Sequence, residues 1–180
     1  MKIVCYGDSN TYGYDPRSIL GEPYDPENRW VDILAERTGW NVFNQGICGQ
    51  EIPQIQTAFP VDTDILIIML GTNDLLQSRS PESAGRNMQK FLESVELDRN
   101  KILLIAPPPM KLGAWVQDLK LISDSIALAK LYQMLALRLG IRFANAGKWN
   151  VSLSYDGVHF TEEGHIAFAE GLINYLNKGV

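Results

Sequence analysis

No stretch of this sequence stays apolar for the roughly 18 residues that a membrane-spanning helix requires. Before the first polar residues the N-terminus offers only Ile3-Val4-Cys5, too little for the core of a secretory leader. Cysteine is scarce, with two among 180 residues, which argues against a disulfide framework. Cys5 and Cys48 read as free thiols, and a nucleophilic Cys48 has no local motif behind it. A cytoplasmic location is therefore expected. Basic runs are missing as well, and the net charge is −5. Phosphate-backbone binding needs clustered Lys and Arg, so no nucleic-acid partner is expected. There is no internal repeat, low-complexity tract or linker, and residues 1–180 read as one domain with enough chain for a substantial core. The 46% hydrophobic and 21% charged content fits an ordinary soluble protein.

Apolar bursts alternate with helical periodicity. Strands are expected at residues 3–6, 41–43, 64–70, 101–106 and 141–144. The run Ile65-Leu66-Ile67-Ile68-Met69-Leu70 has the continuous character of a strand buried on both faces. Helices are expected over residues 29–37, 80–95, 117–139 and 161–176. Ser80-Pro81 supplies a cap and a first-turn proline, and Thr161 a second cap. Strands alternating with helices imply parallel pairing through right-handed crossovers, hence a three-layer α/β/α sandwich. Ligands of such sheets bind beyond the carboxyl ends of the strands. Four elements fall there: Gly7-Asp8-Ser9-Asn10, Gly46, Gly71-Thr72-Asn73-Asp74, and the irregular stretch 107–115 with its three prolines, Met110, Leu112 and Trp115.

Each segment has a bland reading and a chemical one. Ser9 directly follows the first strand, where Asp8, Ser9 and Asn10 are all capping residues. Its hydroxyl is also presented at the sheet edge, and its N–H points as helix N-terminal amides do. The segment is not the Gly-x-Ser-x-Gly elbow, and no lysine follows as in a phosphate loop. Asn73 is a turn residue or an amide donor to a developing oxyanion. Gly46 is backbone geometry or an unobstructed N–H. His159 is one of two histidines, and Asp156 precedes it by three residues. That spacing lets the carboxylate reach one imidazole nitrogen while the other faces Ser9. His165 reads as a packed helical side chain. The histidine spacing does not fit a zincin metal site, which uses i, i+4, so no metal is expected. Asp8 is expected to organise the turn and, with Trp115 and Met110, to contact substrate. Trp149 reads as packing, and Asp74 has no assigned role.

Taken together, the four blocks resemble the SGNH hydrolases, or GDSL-type esterases and lipases, through Ser9, Gly46, Asn73 and His159. The resemblance runs from residue 3 to about 175. Gly7-Asp8-Ser9-Asn10-Thr11-Tyr12-Gly13 is similar to the small arylesterase and acyl-transferring branch, with Asn10 standing where many members have leucine. The resemblance implies a flavodoxin-like sheet in the order 2-1-3-4-5 and a Ser9–His159–Asp156 triad. It implies an oxyanion hole from the Ser9 and Gly46 amides and the Asn73 side chain, with no cofactor. Implied substrates are small-molecule esters: short acyl and aryl esters, acetylated sugars, lysophospholipids and thioesters, with acyl transfer as a side activity. Implied assemblies run from monomers to homo-oligomers. A flavodoxin-like binding module is the non-enzymatic alternative. Specificity is expected to lie in residues 12–24 and 107–115.

Overall fold

Strand alternation builds the layers of the molecule. A computed structural model describes residues 1–178. The strands β1 (Lys2–Gly7), β2 (Asn41–Gly46), β3 (Ile65–Met69), β4 (Ile102–Ala106) and β5 (Arg142–Asn145) form one parallel sheet in the order β2-β1-β3-β4-β5, as the resemblance implies. Leu66 and Ile68 join Val4, Tyr6 and Leu104 on one face. Ile65, Ile67 and Met69 join Ile3, Cys5, Leu103 and Ile105 on the other. Both faces need a covering layer, because each fully buried aliphatic side chain contributes about 1.5–3 kcal/mol that exposure would forfeit.

The helices supply those layers. They are α1 (Ser9–Tyr12), α2 (Trp30–Thr38), α3 (Thr72–Leu76), α4 (Pro81–Ser94), α5 (Leu119–Leu139) and α6 (Glu162–Lys178). Met88, Phe91 and Leu92 of α4 and Tyr132 and Leu135 of α5 cover the first face. Trp30 and Leu34 of α2 and Phe168 and Leu172 of α6 cover the second. The caps act as their chemistry predicts. The Ser80 side chain accepts from the Ser83 N–H, and Asp118 caps α5 by accepting from the Lys120 N–H. The Thr161 hydroxyl accepts from the Gly164 N–H. No helix among the described residues is long and apolar enough to cross a membrane.

The structure differs from the expected elements in two ways. The one-turn helices α1 and α3 have no periodicity to announce them. Also, β2 runs on to Gly46, three residues past its expected end. Its side chains are mostly exposed, so the main-chain ladder to β1 holds it, with Cys5 opposite Asn44 and Gly7 opposite Gly46. The same register sets Gly7 opposite Met69. The carboxyl ends of β1, β2 and β3 therefore meet at one rim.

Candidate active site

At the rim, β1 ends at Gly7 and the chain turns at Asp8. The Asp8 side chain accepts the Asn10 N–H at 3.0 Å, and its carbonyl accepts the N–H groups of Thr11 and Tyr12. These bonds start α1 at Ser9 and close it at Gly13, which takes the left-handed conformation. Burial pushes the Asp8 carboxyl up to about 6, against the lowering effect of the Asn10 N–H and of His159.

The second half of the site hangs from a loop between β5 and α6. A bridge between Leu153 and Phe160 closes it. Inside, Ser154 N–H donates to the His159 carbonyl and Gly157 N–H to the Ser154 carbonyl. Asp156 Oδ1 accepts the N–H groups of Val158 and His159 at 2.9 and 3.0 Å. Its Oδ2 lies 2.7 Å from His159 Nδ1, and His159 Nε2 lies 2.9 Å from Ser9 Oγ. With the Nδ1 hydrogen aimed at the carboxylate, Nε2 is left to accept from the serine hydroxyl. Burial acts to raise the Asp156 carboxyl, but the bonds from the His159 ring and from the His159 and Val158 amides outweigh it and hold it below the usual range. The aspartate is therefore anionic at neutral pH. A serine proton passing to His159 would leave an imidazolium facing that charge.

Asn73, in α3, donates one amide hydrogen to the Gln50 carbonyl at 3.1 Å and has a second to offer. Gly46 behaves differently from expectation. Its N–H donates to the Asn44 side chain at 2.9 Å, and a Cβ there would overlap the Tyr12 backbone nitrogen. The glycine serves the close approach of β2 to α1. The next turn has a freer amide. Gln50 N–H donates to the Ile47 carbonyl, with Gly49 at φ +76° between them, and the Gly49 N–H donates to no group among the described residues.

The model of the GDSL-like lipase/acylhydrolase family matches residues 5–167. The chain belongs to that family. No curated protein matches it. Among solved structures it is similar to an inferred arylesterase from Agrobacterium tumefaciens str. C58, at 28% identity, TM-score 0.79 and 98% coverage of both chains. It shares the fold of a carbohydrate acetylesterase family member from Sinorhizobium meliloti (22% identity, TM-score 0.81, 98% of this chain and 97% of that one). The same holds for the aryl esterase of M. smegmatis (24% identity, TM-score 0.81, 98% of both chains).

Two side chains expected at the substrate are turned away from it in this GDSL-like hydrolase. Asp8 is 1% exposed and committed to α1. Met110 is 4% exposed and packs in the core, since the stretch after β4 folds inward there and its N–H bonds Ser125. Trp115 is 53% exposed and stands edge-on to His159, with ring centroids 4.9 Å apart. Trp149 packs on Phe168. Cys48 is an exposed free thiol. Its partial burial and the nearby Asp8 charge raise its pKa, which keeps it a thiol rather than the reactive thiolate.

Sequence reasoning missed four contributors. Tyr14 also lies against the His159 ring, at 4.7 Å between centroids. The Gln50 carbonyl orients Asn73. Asp74, fully buried, accepts the Ile52 N–H at 3.0 Å and so ties α3 to the segment carrying Gln50. Asn10 bonds the loop around His159. Only Asn10 carried a signal, as a polar residue where the family resemblance leads one to expect leucine.

Proposed function

We propose that this protein hydrolyses small carboxylic esters through a serine-bound acyl intermediate. The supporting observation is the unbroken chain Ser9 Oγ–His159 Nε2 at 2.9 Å and His159 Nδ1–Asp156 Oδ2 at 2.7 Å, built from residues 150 positions apart. Ser9 Oγ attacks the ester carbonyl as His159 takes its proton. The imidazolium then gives that proton to the departing alcohol, and a water activated by the same nitrogen releases the acid. The developing oxyanion is met by the Ser9 N–H, by the free Asn73 amide hydrogen and, in place of Gly46, by the Gly49 N–H. Tyr14 and Trp115 flank His159 and give the leaving alcohol an aromatic wall. This favours aryl esters and acetylated sugars, in keeping with the names of the similar structures, and gives no counterpart for a long acyl chain.

The test is fluorophosphonate labelling combined with a p-nitrophenyl ester series and acetylated xylo-oligosaccharides. The parent protein should be labelled and should turn over acetate esters. Ser9→Ala should do neither while unfolding at the same urea concentration. A folded Ser9→Ala protein with parental activity refutes the mechanism, and an unlabelled, inactive parent would favour a binding module on this fold.

A further inference from the structure

Asn10 touches neither the ester nor the reacting atoms, yet it grips the backbone on both sides of His159. Its Nδ2 donates to the Val158 carbonyl at 3.2 Å, and its Oδ1 accepts the Phe160 N–H at 2.9 Å. The two partners fix the amide's orientation, because one requires a donor and the other an acceptor. The buried Trp30 indole donates to the Asn10 main-chain carbonyl at 2.9 Å, a bond separate from the two that the side-chain amide makes. The residue is 4% exposed, so neither amide bond is exchanged cheaply for water.

We infer that Asn10 is the positioning residue that sets the distance between Ser9 and His159, a role that rests on the proposed serine mechanism. Asp156 holds the imidazole, but the bonds of its carboxylate all stay within the 156–159 loop. They orient the ring relative to its own loop, whose main chain is bonded to the main chain of residues 111–115 and not to that of α1. Besides the Ser9–His159 bond itself, the Asn10 amide is the side-chain link from the turn that carries Ser9 to the segment that carries His159 among the described residues. Being the next residue after Ser9, it passes any displacement of the loop directly to the Oγ–Nε2 separation.

Asn10→Leu keeps the branching and heavy-atom count of the side chain, with a bulkier end, and removes both bonds. Asn10→Asp keeps the acceptor for Phe160 and loses the donor to Val158. Trp30→Phe removes the indole bond but leaves the amide bridge. In the full-length protein, kcat and KM for p-nitrophenyl acetate, the fluorophosphonate labelling rate and the urea midpoint are measured for each. Asn10→Leu should lose about 10- to 100-fold in kcat and in labelling rate with KM changed less than about threefold, because misaligned reacting groups cost turnover rather than binding. Asn10→Asp should fall between it and the parent. Trp30→Phe should unfold at lower urea yet keep kcat within about twofold of the parent. A folded Asn10→Leu with parental kcat overturns the inference, as does a Trp30→Phe that loses as much kcat as Asn10→Leu. If Asn10→Leu does not fold, parental kcat in Asn10→Asp overturns it, and an intermediate kcat supports it. A parent that the fluorophosphonate does not label would sink the serine mechanism instead.

Discussion

One hydrogen of the Asn73 amide is occupied by Gln50, and the other is available for chemistry. Asn73→Ala should lower kcat by roughly 10²–10³, the usual cost of one missing oxyanion donor, with little change in KM. A change confined to KM would make Asn73 a ground-state contact. The second histidine yields a different prediction. His165 is fully buried, accepts the Trp30 N–H through Nδ1 at 3.4 Å, and has no partner at Nε2 among the described residues. Burial, with help from the Arg29 charge, pushes it down to about 3. An unfolded chain protonates histidine near about 6.5. Between those values the unfolded state holds the extra proton, so this group makes stability fall as pH falls, by at most about 1.4 kcal/mol per pH unit. Asp8, raised to about 6, acts in the opposite direction, and comparison with a His165→Asn variant cancels it. Urea unfolding at pH 7 and pH 5 should show the parent losing more stability than His165→Asn. Equal losses would mean that His165 does not carry the effect.

Elements meet at the rim through backbone as much as through side chains. At Gly46, β2 crosses α1 so closely that a methyl group would strike the main chain of Thr11 and Tyr12. Backbone cannot rotate away as a side chain can. Gly46→Ala should therefore cost about 1–3 kcal/mol of stability, the range for overpacking, and should lower kcat because the displaced helix carries Ser9. Chemical denaturation and steady-state rates measure the two effects. A Gly46→Ala protein of unchanged stability would contradict the packing described. On the other flank, Asp74 binds the Ile52 N–H, and the segment it holds presents the Gln50 carbonyl to Asn73. The parts of the site thus come from α1, α3, the 47–52 segment and the loop before α6, with Asp8, Asp74 and Asp156 each accepting backbone N–H groups there.

For the whole molecule, the site is a rim feature with few walls. A surface groove lies elsewhere, between α4 and α5, lined by Gly85, Leu131, Met134 and Leu137. Residues 12–24 fold back on the site and are pinned by Arg17 to Glu162 at 2.6 Å and by the Tyr155 hydroxyl to the Pro16 carbonyl at 2.8 Å, which makes them a fixed wall and not an amphipathic lid. Rates should therefore fall as the acyl chain of p-nitrophenyl esters lengthens, with no jump when the substrate forms micelles. Faster turnover of emulsified long-chain triglycerides than of soluble acetates would show that the walls open.

Local sequence was sufficient for the sheet and its layers. The apolar run of β3 has to be buried on both faces, and Ser80-Pro81 has to start a helix, whatever surrounds them. Ser9, Asp156 and His159 were legible as candidates, because a serine after a strand and an aspartate three residues before a histidine stand out in spacing, and the structure brings the three within hydrogen-bond distance; Asn73 stood out through the family resemblance. Tertiary structure decided the direction of each polar group. Gly46 and Gly49 are equivalent in sequence, but β2 commits one N–H to Asn44 and the turn leaves the other free. Asp8 looked available to substrate and is sealed under α1, while Met110 was drawn into the core and Trp115 was left at the surface. The Asn10 bridge joins positions 148 and 150 residues apart. No periodicity or spacing encodes such a contact, because it exists only once β1 and the loop before α6 are packed at the same end of the sheet.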